Sequence, residues 1–207
     1  MQQQTPEWFA ARLGKVTASR VADAIARTKS GYSASRENYA TELALERIMG
    51  YSQPGYTSPA MQWGIATEPE ARAAYEMARG EMVVGCGLID HPTIEMSGAS
   101  PDGLIGSDGL LEIKCPESKQ HIEYLRLSTA PAKYKPQIQW QLACTGRAWC
   151  DFVSYDPRFP ELLRLHIVRV ERDAEYIASV ESEVVEFLNQ VAAVVAEIER
   201  IGNGKKI

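Results

Sequence analysis

SPDGLIGSDGLLEIKC (residues 100–115) reads as a hairpin that carries chemistry. The stretches ending at Ile105 and running from Leu110 to Cys115 are strand-like, and Ser107-Asp108-Gly109 is a turn between them. Side chains alternate faces along a strand, so Glu112 and Lys114 point the same way. The turn folds the first strand back beside the second and sets Asp102 next to Glu112. Two carboxylates and one ammonium then converge on one small volume. Carboxylates at close range repel each other, and a divalent cation relieves that repulsion. Oxygen ligands that leave room for water and phosphate suit Mg²⁺. Two such ions about 3.5–4 Å apart can activate a water and stabilise the leaving oxygen of a phosphodiester displacement. Lys114 would hold or deprotonate that water, or neutralise developing charge. The plain alternative is a hairpin with ordinary exposed charges, because Asp-Gly is a common turn pair and E-x-K is common on strands.

Upstream, GIATEP (64–69) reads as helix and offers Glu68 as a further carboxylate. Downstream, PQIQWQL (136–142) places the Gln137 and Gln139 amides where one could touch a phosphate or a nucleophile. Each has a bland counterpart, a solvated helix charge and a polar helix face.

Helices dominate the first third. Thr5-Pro6 is an N-cap and first turn, with Trp8, Phe9 and Leu13 on one face. A short helix begins near Thr17 with Val21 and Ile25 inward. Residues 28–35 are a loop, after which Ser35 caps a helix that Gly50 ends. A second loop covers 52–59. Ser58-Pro59 opens a helix carrying Met61, Trp63, Ala71, Ala74 and Tyr75, and Pro69 either kinks it or starts a new one capped by Thr67. Strands at 81–90, 94–105 and 110–115 form an antiparallel run. Helices at 118–127 and 134–144 follow, then strands at 148–155 and 162–170. From Asp173 a last helix shows a stripe of Ile177, Val180, Val184, Leu188, Val191, Val195 and Ile198, read as a face packed on the core. The expected whole is one α/β domain over 1–207: a helical portion (1–60), a core (61–170) and a C-terminal helix (171–207).

Composition narrows the class. The 207 residues include 45% hydrophobic and 24% charged side chains, an ordinary globular mixture. MQQQTPEW lacks a basic-then-apolar leader, and no apolar run approaches a membrane span. Cys86, Cys115, Cys144 and Cys150 form no CxxC pair and read as reduced, buried thiols; His91, His121 and His166 are scattered. The net charge of −5 argues against nucleic acid until it is divided. Residues 1–60 carry 7 basic and 5 acidic side chains, 61–130 carry 5 and 11, and 131–207 carry 10 and 11. The negative charge therefore concentrates where bound cations would offset it.

The ordered set GIATEPEARAAYE, SPDGL, LEIKCP, QIQWQL and SYDPR, with WFAARLGKVTAS near the N-terminus, resembles the lambda exonuclease and YqaJ-type viral recombinases. These belong to the wider PD-(D/E)xK nuclease fold, and the resemblance spans nearly the whole chain. It implies a restriction-endonuclease-like core, a central mixed sheet flanked by helices. It implies a 5′→3′ exonuclease on duplex DNA that releases 5′-mononucleotides and leaves 3′ single-stranded tails for recombination, in the cytoplasm of a bacterial host as a phage or prophage protein. Metal ligands would be Glu68, Asp102, Glu112 and the carbonyl of Ile113, for two Mg²⁺ ions, with Mn²⁺ as substitute. Lys114 would be the catalytic lysine and Gln139 the glutamine near the attacking water. Arg12 would grip the 5′-phosphate, with Ser19 and Ser100 as phosphate-contacting hydroxyls and Lys29 as a basic loop residue. A ring-shaped homotrimer and a single-strand annealing protein are the implied partners. Pro69 departs from lambda exonuclease directly after Glu68 and puts the aim of that carboxylate in question. Two competing readings are a sequence-specific endonuclease on the same core and a DNA-binding protein without activity.

Overall fold

Both strands of the hairpin read above sit inside a larger sheet, and its order explains where the charged residues end up. The computed structural model describes residues 2–29, 31–52 and 58–204. Among them the chain runs through α1 (Pro6–Arg12), β1 (Val16–Thr17), α2 (Val21–Ala24), β2 (Arg27–Thr28), β3 (Gly31–Tyr32), α3 (Ala34–Met49) and α4 (Pro59–Arg79). Strands β4 (Val83–Val84), β5 (Ile89–Asp90), β6 (Ser97–Ala99), β7 (Gly103–Ile105) and β8 (Gly109–Lys114) follow. Then come α5 (Ser118–Leu125), α6 (Lys135–Thr145), β9 (Trp149–Tyr155), β10 (Leu165–Glu171) and α7 (Ala174–Gly204).

The main sheet has the order β10-β9-β8-β7-β4. β7 and β8 are the expected antiparallel hairpin, with Gly103 opposite Leu111. β8 and β9 are parallel, with Glu112 opposite Phe152. Parallel neighbours need a long crossover, and α5 and α6 supply it. Alternation along β8 and β9 divides their side chains between two faces. Leu110, Cys150 and Phe152 meet Tyr124, Ile138 and Leu142; Leu111, Ile113, Val153 and Tyr155 meet Ala71 and Tyr75 of α4. This is the mixed sheet flanked by helices that was expected. Gly109 leaves no room for a Cβ because the Trp149 ring occupies that space, and Arg169 lies over the same indole at 3.5 Å.

The antiparallel run expected over 81–115 divides in two. β4, β7 and β8 stay in the main sheet, while β5 and β6 join β1 in a second sheet of order β1-β6-β5. β1 pairs parallel to β6, with Val16 opposite Ser97 and Thr17 opposite Gly98. That non-local pairing carries the N-terminal helices to the residues just before Asp102.

Local signals set most helix starts. Thr5 accepts from the Trp8 N–H at 3.3 Å and Pro6 fills the first turn of α1. Ser33, not Ser35, caps α3: it is extended at φ −84°, ψ 159° and accepts from the Arg36 N–H at 3.3 Å, while Ser35 already lies in the helix. The loop expected at 28–35 holds the β2–β3 pairing, and its Ser30 lies outside the described residues. So do residues 53–57 of the loop expected at 52–59. Gly50 ends α3 at φ 76°. α4 runs through Pro69 as one helix with Thr67 buried inside it, so neither a break nor a cap falls there. Burial of Ala71 and Tyr75 against the sheet holds the helix together past the N–H that proline lacks.

Asp173 accepts from the Tyr176 N–H at 3.0 Å and opens α7. Ile177, Val180, Val184, Phe187 and Val191 of α7 are buried, most of them against α3 and α6. The stripe is buried core up to Val191, with Leu188 and Val195 partly buried and packed against it; Ile198 is 46% exposed. Phe9, read on one face with Trp8 and Leu13, is 55% exposed, and Met61 is 53% exposed. No helix among the described residues is long and apolar enough to cross a membrane.

The SYDPR corner after β9 is a structural lock. Asp156 accepts from the Arg158 side chain at 2.7 and 2.8 Å, from its N–H at 3.0 Å, and from the Ser118 hydroxyl at 2.7 Å. Burial pushes this carboxyl up, but those hydrogen bonds outweigh it and pull it down to about 2. A carboxyl depressed on folding stabilises the protein above the unfolded value of about 3.9. That contribution fades as pH falls toward 2. Asp156→Asn is therefore expected to cost roughly 1–3 kcal/mol at neutral pH. Paired denaturant melts should show the gap shrinking below about pH 4; a gap independent of pH would remove this assignment.

Candidate active site

The end of β8 gathers the charged residues. Glu112 is 1% exposed and Lys114 shares its face. The Lys114 ammonium reaches Glu112 Oε1 at 2.5 Å and lies over the Tyr134 ring at 5.2 Å. Burial works against that ammonium, but Glu112 and Asp102 outweigh it and keep it charged. From α6, the Gln137 amide donates to Glu112 Oε1 at 2.5 Å and the Gln141 amide to Oε2 at 2.6 Å. Both carboxylate oxygens are thus held by donors, which is how a buried charge is tolerated.

Asp102 stands just before β7. Its Oδ2 accepts from the Ile113 N–H at 2.6 Å, just beyond the end of the β7–β8 ladder. In an antiparallel strand the N–H and C=O of one residue leave the same edge, so the Ile113 carbonyl also leaves toward Asp102. Burial, then repulsion from Glu112, pushes the Asp102 carboxyl well above its ordinary range; Lys114 and the Ile113 N–H oppose this only in part. Glu68 of α4 lies at the rim. Burial raises its carboxyl, Arg72 opposes that, and Glu112 adds to it. Arg72, one helical turn on, pairs with Glu68 at 3.5 Å and donates to the Asp102 carbonyl. A cleft of about 600 Å³ opens here, lined by Glu68, Arg72, Cys86, Asp102 and the segment Gln2–Gln4.

Among the described residues no three His, Cys, Asp or Glu side chains are drawn together as a ligand set, because Glu112 turns its oxygens to Gln137, Gln141 and Lys114. The donor chemistry nevertheless fits a hard cation. Asp102, Glu112, Glu68 and the Ile113 carbonyl are all oxygen donors. Burial first, then the neighbouring Glu112, raise the Asp102 carboxyl, and a cation held there would offset both.

A second cluster lies on the other side of the Ser100–Asp102 segment. Arg12 lies over the Trp8 ring at 4.1 Å and donates to the hydroxyls of Ser100 and Thr17, each at 3.5 Å. Trp8 Nε1 donates to Ser100 at 3.0 Å, and the Thr17 and Ser19 hydroxyls are 3.5 Å apart. Burial lowers the Arg12 guanidinium from its ordinary value. A pocket of about 220 Å³ opens beside it, lined by Trp8, Arg12, Lys15, Thr17, Arg20 and Tyr39 among others.

The structure brings together Asp102, Glu112, Lys114 and the edge of Ile113, with Glu68 at the rim, and separately Arg12, Ser19 and Ser100. Gln139 does not join them. Its Nε2 donates to the Glu171 carbonyl at 2.8 Å and its Oε1 accepts from the Asp173 N–H at 2.9 Å. It stitches β10 to the start of α7. Residues two apart on a helix face different ways, so the face that turns Gln137 and Gln141 to Glu112 turns Gln139 from it. Lys29 is exposed in the turn between β2 and β3 and lines neither cleft. Sequence reasoning missed Gln141, Arg72, Thr17 and Trp8. The i, i+4 spacings of Gln137 with Gln141 and of Glu68 with Arg72 were the available signals.

The profile of the YqaJ-like viral recombinase domain matches residues 7–148. Two solved structures of an alkaline exonuclease, LHK-Exo from Laribacter hongkongensis, one of them in complex with dAMP, superpose with a TM-score of 0.90. They are 50% identical over 97% of this chain and 99% of theirs. A phage-related exonuclease from Haemophilus somnus 129PT shares the fold at a TM-score of 0.70 and 16% identity, over 89% of this chain and 96% of its own. No curated protein matches the chain.

Proposed function

Because this chain belongs to the YqaJ-like viral recombinase domain family, we propose that it is a metal-dependent 5′→3′ exonuclease of duplex DNA. It releases 5′-mononucleotides and leaves 3′ tails for phage-type recombination. The observation that carries this reading is the meeting of Asp102, Glu112 and Lys114 at the open end of β7 and β8. The 50% identity to an exonuclease whose structure holds a deoxynucleoside monophosphate supports the product class.

Asp102, Glu112 and the Ile113 carbonyl, with Glu68 at the rim, would hold Mg²⁺, two ions in all, or Mn²⁺ in its place. A divalent cation there supplies activation of a water and neutralisation of charge at the scissile phosphate. Lys114, kept charged between Glu112 and Asp102, orients the attacking water and stabilises charge on the phosphate oxygens. Gln137 and Gln141 hold Glu112 in place without adding charge. Arg12 grips the 5′-terminal phosphate with the hydroxyls of Ser19 and Ser100, and Thr17 between them completes the donor set. Lys29 contacts the duplex farther out. A homotrimeric ring threaded by the remaining strand would give processivity to a chain of net charge −5, and a single-strand annealing protein would take up the tail.

The test is digestion of end-labelled linear duplexes, read for polarity and product size. Mononucleotides from the 5′ end are expected, with none after chelation of divalent cations and none from closed circular duplex. Cutting of the circle would point instead to an endonuclease on this core, and digestion in excess chelator would remove the metal. Sedimentation as a monomer at working concentration would remove the ring.

A further inference from the structure

Three consecutive residues, Ser100, Pro101 and Asp102, lie between the two clusters, and the N-terminal segment touches the first two. Trp8 and Arg12 of α1 donate to the Ser100 hydroxyl. Gln3 donates through Nε2 to the Pro101 carbonyl at 2.7 Å and to the Cys86 carbonyl at 3.1 Å. Arg72 donates to the next carbonyl, that of Asp102. The Cys86 thiol also donates to Pro101 at 3.3 Å. The backbone that presents Asp102 is therefore gripped from both sides by side chains remote in sequence. Between Gln3 and α1 the chain must turn sharply. Gln4 does so at φ 64°, a left-handed conformation that disfavours a residue with a Cβ. Thr5 then caps α1. Backbone strain of this kind persists where surrounding contacts over-determine it. Here those contacts are the two Gln3 hydrogen bonds on one side and the Thr5 cap on the other.

We propose that Gln3 is a positioning residue. Residues 3–5 form a strut that links the phosphate-gripping helix α1 to the peptide presenting Asp102, so that seating a 5′-terminal phosphate at Arg12 and aligning Asp102 for catalysis are coupled. This rests on the exonuclease reading of the same site. Gln3 acts through the Pro101 carbonyl and touches neither substrate nor cation. A terminal phosphate on Arg12 bears on Ser100 and on α1 together. The strut and the Ser100 contacts are the two short routes from there to Asp102. A 5′-phosphate should then raise kcat as well as lower KM, because it orders the residue that does chemistry as well as the end of the duplex.

The experiment compares wild type, Gln3→Met and Gln3→Glu on duplexes with 5′-phosphate and 5′-hydroxyl ends, at a temperature where circular dichroism shows each folded. Gln3→Met keeps the length and removes the donor; Gln3→Glu is isosteric and sets an acceptor against two carbonyls. Both are expected to lower kcat on phosphorylated ends by about 10-fold or more, the scale of losses when support behind a metal-site residue is removed. KM should stay within about 2-fold. The gain in kcat from the phosphate should vanish while its effect on KM persists. Calorimetric titration of Mn²⁺ into the DNA-free proteins should show weaker binding in both Gln3 variants. Wild-type kcat and Mn²⁺ affinity in Gln3→Met, or a phosphate gain in kcat that survives there, overturns the proposal. Failure of wild type itself to digest linear duplex would instead remove the exonuclease reading.

Discussion

Asp102→Asn is expected to lower digestion of linear duplex by about 1,000-fold or more and to leave the protein as stable as before or more so. The loss follows from the proposed role: an amide in place of this carboxylate gives up a charged ligand, and electrostatic contributions of this kind are the largest single terms in catalysis. The gain in stability follows from the geometry. Asp102 is buried beside Glu112, and both its burial and its neighbour disfavour the charged form. Asparagine removes that repulsion. Its side-chain carbonyl still accepts from the Ile113 N–H, which Asp102 holds at 2.6 Å. Thermal melts without added metal should therefore place the variant at or above wild type, while Mg²⁺ should raise the wild-type melting temperature and not the variant's. Turnover near the wild-type rate would refute the site. A collapse in stability would show that Asp102 serves the fold instead.

Arg12→Ala is expected to erase the distinction between phosphorylated and hydroxyl ends. On phosphorylated ends kcat/KM should fall about 100-fold, equivalent to about 2.7 kcal/mol; on hydroxyl ends it should hardly change. In the proposed role the guanidinium receives an anion. It lies on Trp8, donates to two hydroxyls at the long distance of 3.5 Å, and is held below its ordinary value by burial. A phosphate would complete its hydrogen bonds bidentately, which a lysine cannot imitate. Arg12→Lys is accordingly expected to recover little of the preference. If both variants cut the two kinds of end at the wild-type ratio, the 5′-phosphate binds elsewhere.

Much of this was legible in the chain. The period-two relation of Glu112 and Lys114, the turn between β7 and β8 (read at 107–109 and found one residue earlier, at 106–108) and the cap-and-proline starts of α1 and α4 are local rules, and local rules travel with the sequence. What escaped is non-local or a matter of phase. β1 has two residues and pairs with β6 some eighty positions away, so no pattern within either strand announces the second sheet. Ser33 and Ser35 offer the same hydroxyl, and only the backbone conformation decides between them as cap. Gln137 and Gln139 look alike as a polar pair, yet a helix turns them to opposite sides. Phe187, absent from the expected stripe, is fully buried and stacks on Tyr39 of α3, because tertiary contact widens the buried face beyond the simplest spacing.

The two ends of β8 answer to different pressures. At Lys114 the strand ends in the charged cluster with Glu112; at Gly109, five residues and about 17 Å away, it abuts an indole with no space to spare. Any residue larger than glycine at 109 should yield protein that fails to accumulate, whereas changes at 114 should yield soluble protein that does nothing. A mutational screen scored on lost digestion alone would merge the two outcomes, and one that also measures yield would draw the boundary between scaffold and chemistry along a single strand.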